Sequence, residues 1–166
     1  MRRVLMLMSL AAVAVCGGDP LGPNGTDSFS RLGGCADVIF YAVDANDGLM
    51  LLFRAEGLVS EAQAEGAETV TTFQLPAASA ALSLQQGARI SDAACDDVIE
   101  GAGPKVVRSW TGVSGRATVR MRPLEGQGGA RADLILEDVL LEGAGEDDVS
   151  IARFEWTDIS VGWYPG

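Results

Sequence analysis

From Arg116 to Arg122 the chain alternates without a break. Ala117, Val119 and Met121 fall on one side, and Arg116, Thr118, Arg120 and Arg122 on the other. A period of two is the period of a β-strand, whose successive side chains point to opposite faces, so this stretch has one face for a core and one for water. A half-buried strand needs neighbours that alternate in the same way. Ala132 to Leu136 does so, and then at Glu137-Asp138 the apolar phase slips by one residue and Val139 and Leu141 take over. A second slip falls near Asp158, between the stretches 149–156 and 159–163. A one-residue slip is what a β-bulge produces, or a strand crossing between sheets.

The remaining apolar stretches are short and separated by turn residues. Ala36 to Val43 carries apolar residues on both faces, which predicts a central strand covered on both sides. Asp44-Ala-Asn-Asp-Gly48 reads as the turn of a hairpin, and Leu49 to Ala55 returns with Leu49, Leu51 and Phe53 on one face. Ser60 and Gln63 are spaced as a capping box, so one helical turn is expected in the polar connection 60–67. Thr69–Leu75, Ala80–Gln85, Lys105–Gly112 and Arg116–Arg122 complete the set, the last two flanking Gly112-Val-Ser-Gly115. With 21 glycines and 48% hydrophobic residues, the chain suits many short strands joined by turns. The expected fold is all-β, an antiparallel β-sandwich of about eight or nine strands, Ig-like or jelly-roll.

The N-terminus has a different character. Arg2 and Arg3 precede an almost unbroken apolar run from Val4 to Val15, followed by Cys16-Gly-Gly. A dozen helical residues reach only about 18 Å, short of the about 30 Å of a bilayer core. The layout is that of an export signal. Val13-Ala14-Val15-Cys16 resembles the lipobox of bacterial lipoproteins, with Val15 where that family usually carries Gly, Ala or Ser. The resemblance implies cleavage just before Cys16, diacylglycerol on its thiol and acylation of its amine; several acyl chains, at about 0.8 kcal/mol per buried CH₂, anchor a protein firmly. Ordinary cleavage after Ala14, using Ala12-x-Ala14, is the alternative. The expected organisation is a signal peptide over 1–16, a flexible Gly/Pro/Ser tether over 17–34 with a reach of roughly 23 Å, and one domain over 35–166.

Three cysteines are present, Cys16, Cys35 and Cys95. With Cys16 lipidated, an even pair remains in an oxidising compartment, which predicts a Cys35–Cys95 disulfide. Closing that loop contributes about 4 kcal/mol in the chain-entropy model. A metal site is the other use of two thiols, but the chain has no histidine and no further cysteine to complete it. The formal net charge is −11 and becomes two units more negative when Arg2 and Arg3 leave. A surface this acidic repels nucleic acid and anionic lipid, so membrane attachment falls to the acyl chains.

Candidate chemistry is sparse. The absence of histidine removes Ser-His-Asp and Cys-His catalysis and the commonest general base at neutral pH. No catalytic residue is assigned; a hydrolase here would depend on a pair of carboxylates. Three acidic groups offer oxygen ligands to calcium: Asp44, Asn46 and Asp47; Asp92, Asp96, Asp97 and Glu100; and Glu146, Asp147 and Asp148. The first also reads as a hairpin turn and the others as solvated loops, so no cofactor is required. Tyr41, Trp110, Trp156, Trp163 and Tyr164 are the material for a sugar-stacking surface, with Trp163-Tyr164 the expected exposed pair. The stripe of Arg116, Arg120 and Arg122, with Arg108, is a candidate surface for anionic glycan or lipopolysaccharide phosphate, but the next strand presents Arg131, Asp133 and Glu137 outward, and ion pairs to its carboxylates are expected to neutralise most of the stripe.

Cys35-Ala-Asp, Cys95-Asp-Asp, Ser114-Gly115 and the closing Val161-Gly-Trp-Tyr-Pro-Gly resemble the small β-sandwich lipoproteins of Gram-negative envelopes. That resemblance implies a fold and a location and no activity. The expectation is an exported, lipid-anchored envelope protein, at the outer membrane or periplasmic face, that binds or scaffolds an envelope protein or glycan. A carbohydrate-binding module and a carboxylate-dependent hydrolase are the alternatives.

Overall fold

The computed structural model describes residues 21–95, 103–126 and 128–162. After a 3-10 segment at Gly22–Ser28 come strands Phe29–Cys35 (β1), Val38–Asp44 (β2) and Leu49–Ala55 (β3), helix Leu58–Glu65 (α1), and strands Thr69–Gln74 (β4) and Ala80–Ala88 (β5). A short 3-10 turn at Ile90–Ala93 precedes three long strands, Lys105–Pro123 (β6), Ala130–Gly143 (β7) and Val149–Val161 (β8). The protein is all-β, with every strand pair antiparallel.

One sheet contains all eight strands, in the order β1-β2-β3-β5-β6-β7-β8, with β4 off that path and paired, among the described residues, to β6 alone. β6 is long enough for two partners on the same side: β5 pairs with its first half, Lys105 to Thr111, and β4 with its second half, Arg116 to Met121. The two layers of the expected sandwich are therefore two halves of one curled sheet. The curl brings β8 round to β1, where the Gly162 N–H donates to the Ala36 carbonyl.

Both phase slips in the sequence are bulges. Ser114 and Arg116 oppose Leu140 and Glu137, leaving Asp138 as the extra residue, and Ala132 and Leu134 oppose Ile159 and Trp156, leaving an extra residue in Thr157-Asp158. Asp138 (φ 51°) and Asp158 (φ 56°) are both left-handed, a conformation Asp tolerates better than most residues. The two stretches flanking Gly112–Gly115 are one continuous strand, not two. Gly115 lies at φ 110°, and a Cβ there would stand 2.6 Å from the Val139 Cα, so the strand kinks through a glycine without turning back.

The tether expected over 17–34 is shorter than its composition suggests, because Phe29–Gly34 belongs to β1 and pairs with β2. The two glycines that read as linker allow close approach on opposite faces. A Cβ on Gly33 would run into the phenol ring of its cross-strand partner Tyr41, and a Cβ on Gly34 would stand 2.6 Å from Ile159 Cγ2 and 2.7 Å from the Ile39 carbonyl oxygen.

The main core lies inside the curl. Phe154, Trp156, Phe40, Phe53 and Phe73 form a continuous aromatic row across it, with neighbouring ring centroids 4.5–6.4 Å apart. A second, smaller core covers the outer face of the β2–β3 hairpin, where Val43, Met50 and Leu52 meet Ile90 and Ala94. This explains a central hairpin that is apolar on both faces. The Cys35–Cys95 disulfide, with Cα atoms 5.9 Å apart, ties that covering segment to the end of β1.

The helix is longer than one turn and starts before the expected cap. Leu58, Val59 and Ala62 face the core, and the first N–H groups are satisfied from a distance. The Asp37 carboxylate accepts from the backbone N–H of Gly57 and, at 3.1 Å, of Val59. Asp37 performs the role expected of Ser60, but from the β1–β2 connection.

Candidate functional site

The outer face of β6, β7 and β8 carries the arginine stripe, and its charges are paired. Arg116 donates to Glu137 Oε2 through both Nε (3.1 Å) and Nη2 (2.8 Å), and Arg153 reaches Glu137 Oε1 at 3.0 Å and also contacts Glu155. Arg122 forms a two-pronged pair with Asp133, 2.9 Å at each oxygen, and lies 3.5 Å from Asp158, while Arg120 lies 3.4 Å from Glu68. The expected cross-strand neutralisation is present, and the stripe offers no free row of guanidinium groups to an anion.

These contacts set the acidity of two carboxyls. The hydrogen bond from Arg116, then its charge and that of Arg153, outweigh partial desolvation and hold Glu137 below its ordinary value. For Asp133 burial is the largest influence and acts upward. The Asp158 N–H, which donates at 2.7 Å, and the Arg122 guanidinium together overcome it and lower the carboxyl.

The acidic groups expected as calcium candidates are engaged elsewhere or stand apart. Asp44 Oδ1 accepts the backbone N–H of Gly48 (2.7 Å) and Leu49 (2.8 Å), and Asp47 Oδ1 accepts that of Ser91 (3.0 Å), so these carboxylates shape the hairpin turn and fasten the 90–95 segment to it. Asp92 pairs with Arg89 at 2.6 Å and Glu146 with Arg108 at 3.2 Å. Asp147 and Asp148 are exposed in the β7–β8 turn. Among the described residues no three acidic side chains converge as a metal site would require. Asp96, Asp97 and Glu100 lie outside the described residues, as do Cys16, Trp163 and Tyr164.

The two described tryptophans belong to the core and form no sugar platform. Trp110 and Trp156 are fully buried, and each places its indole N–H on a backbone carbonyl 2.9 Å away, that of Asp147 and of Tyr41 respectively. The second bond joins β8 to β2 and helps hold the curl closed.

Two surface features depend on elements distant in the chain. A cleft of about 690 Å³ opens between the end of α1 and the β6–β7 turn, lined by Gln63, Gly66, Glu68, Arg122 and Glu125 among others. Beside it, β4 has a free edge and an outward Val70 that is 57% exposed. Alternation along Thr69–Gln74 shows which residues face out but not which strand lies outermost, and without charge, proline or a bulge the run carries no mark of an edge.

These features define an acidic, all-β domain closed by one disulfide, with an ion-paired outer face and, among the described residues, an uncharged edge at β4. Compared with protein-family models, curated proteins and solved structures, the chain matches none.

Proposed function

We propose that this chain is exported and held in the cell envelope by lipid on Cys16, and that its β-domain binds or scaffolds an envelope partner without catalysing a reaction. The observation that carries this reading is the Cys35–Cys95 bridge. It uses both other cysteines in a bond that persists in oxidising compartments, leaving Cys16, at the end of the apolar leader, as the one thiol for acylation. The paired outer face supports the same reading, because carboxylates held charged by arginine are poor general acids near neutral pH. The test is the intact mass of the mature N-terminus combined with metabolic labelling by an alkyne fatty acid. A chain beginning at Cys16 with added acyl mass is expected, and a start at Val15 without it overturns the anchor. Crosslinking in intact envelopes tests the binding role, which fails if nothing co-purifies with the chain.

A further inference from the structure

β4 hydrogen-bonds to β6 on one side and, among the described residues, to no strand on the other. Alternate residues of an antiparallel strand direct their N–H and C=O groups to opposite edges, so about half of β4 presents unpaired backbone to solvent. Proteins blunt such edges with charge, proline or a bulge. Thr69–Gln74 contains no charged residue and no proline, and it pairs with β6 without a register shift. The two end strands of the sheet, β1 and β8, each have a register shift, carry charge (Arg31 on β1; Arg153, Glu155 and Asp158 on β8) and curl toward each other, so among the described residues β4 is the edge without charge, proline or bulge.

The surroundings of that edge have a sign. The cleft adjoins the N-terminal end of β4 through Gly66 and Glu68, and Glu125 lines its far side. The C-terminal carbonyls of α1 end at Gly66, with no basic residue in the last turn, and Glu61 and Glu65 are exposed along the helix. Arg122, in the cleft wall, is held by Asp133 and Asp158, and Glu68 by Arg120 at 3.4 Å, which leaves Glu125 as the cleft carboxylate without an ion pair among the described residues. In a chain of net charge −11 this favours a cationic occupant.

We propose that β4 takes up an extended peptide segment of a partner by strand addition, pairing with its backbone while a lysine or arginine side chain enters the cleft beside Glu125. The proposal rests on the binding role above and names the surface and the chemistry of the partner.

The probe is an alternating threonine–valine peptide ending in two lysines, titrated into the purified full chain and followed by amide NMR. Shifts confined to β4, the Gly66–Glu68 segment and the Leu124–Gly126 turn are expected. A glutamate-ended peptide should bind at least about tenfold more weakly, as should the lysine peptide to Val70→Lys, a variant whose outward side chain leaves the fold intact by its melting temperature. Glu125→Gln should remove most of the preference for lysine while keeping the backbone edge and the Glu68–Arg120 pair. The proposal is overturned if β4 amides do not respond, if both peptides bind equally, or if β4 amides are protected in a concentration-dependent way without peptide, which would place a second copy on the edge. Envelope crosslinks that persist unchanged in Val70→Lys keep the binding role and remove β4 from it, whereas a wild-type chain that crosslinks to nothing overturns both.

Discussion

Gly34 and Ile159 meet where the curled sheet closes: a Cβ added at Gly34 would stand 2.6 Å from Ile159 Cγ2. The same atom would also lie 2.7 Å from the Ile39 carbonyl oxygen, so neither a rotamer change nor a small side-chain shift relieves it. Gly34→Ala is expected to lower unfolding stability by about 1–3 kcal/mol, the usual cost of overpacking. Gly33→Ala meets only the outer end of the Tyr41 ring, which can swing toward solvent, and should cost less. Urea denaturation of the two variants side by side checks the ordering; equal losses would mean that β1 does not close against β8.

The cap on α1 comes from outside the helix. Removing the carboxylate in Asp37→Ala should cost about 1 kcal/mol, within the range for lost N-caps. Asp37→Asn keeps an oxygen acceptor and should recover most of it. Hydrogen exchange localises the effect: the Gly57 and Val59 amides should exchange faster in Asp37→Ala, while β6 and β7 amides follow the global stability.

Loss of the disulfide has two consequences. Replacing both Cys35 and Cys95 by serine frees a loop spanning 60 residues, worth about 4 kcal/mol in the chain-entropy model. It also releases the segment that covers Met50 and Leu52 with Ile90. The double variant should melt far below the parent and bind a hydrophobic dye under conditions where the parent does not. Unchanged dye binding would show that the second core survives without the bridge.

Acid should weaken the fold through the outer-face pairs. The Asp133 carboxyl is held below its ordinary value of 3.8 and Glu137 below 4.5 in the folded chain. Each is still charged when its unfolded counterpart has begun to bind a proton, so its contribution is complete above those ordinary values and is lost as pH falls through the lowered ones. Melting temperature should therefore fall as pH drops below about 4.5. Asp133→Asn should flatten that descent and cost no more than about 1 kcal/mol at neutral pH, because the pair is partly exposed. An acid limb identical to the parent's would assign the loss to other carboxylates.

The sequence by itself determined which residues face inward and where the strands change phase. The alternation around Val119 and Leu134, the two-faced β2 and the slips at Asp138 and Asp158 are all local, because each depends on a strand's own period of two. The cysteine pairing followed from counting thiols. Tertiary structure decided what depends on neighbours distant in the chain. Gly33-Gly34 has the composition of a linker, and only the arrival of Tyr41 on one face and Ile159 on the other makes it a strand. Ser60 matches a helix cap, but the cap is Asp37, because helix N–H groups donate to whichever carboxylate the fold places beside them. Trp110 and Trp156 suit a sugar surface as well as a core until the curl of the sheet encloses them. The candidate binding edge was illegible for the same reason: Thr69–Gln74 alternates like any other strand, and only the order of strands in the sheet leaves one of its sides without a partner.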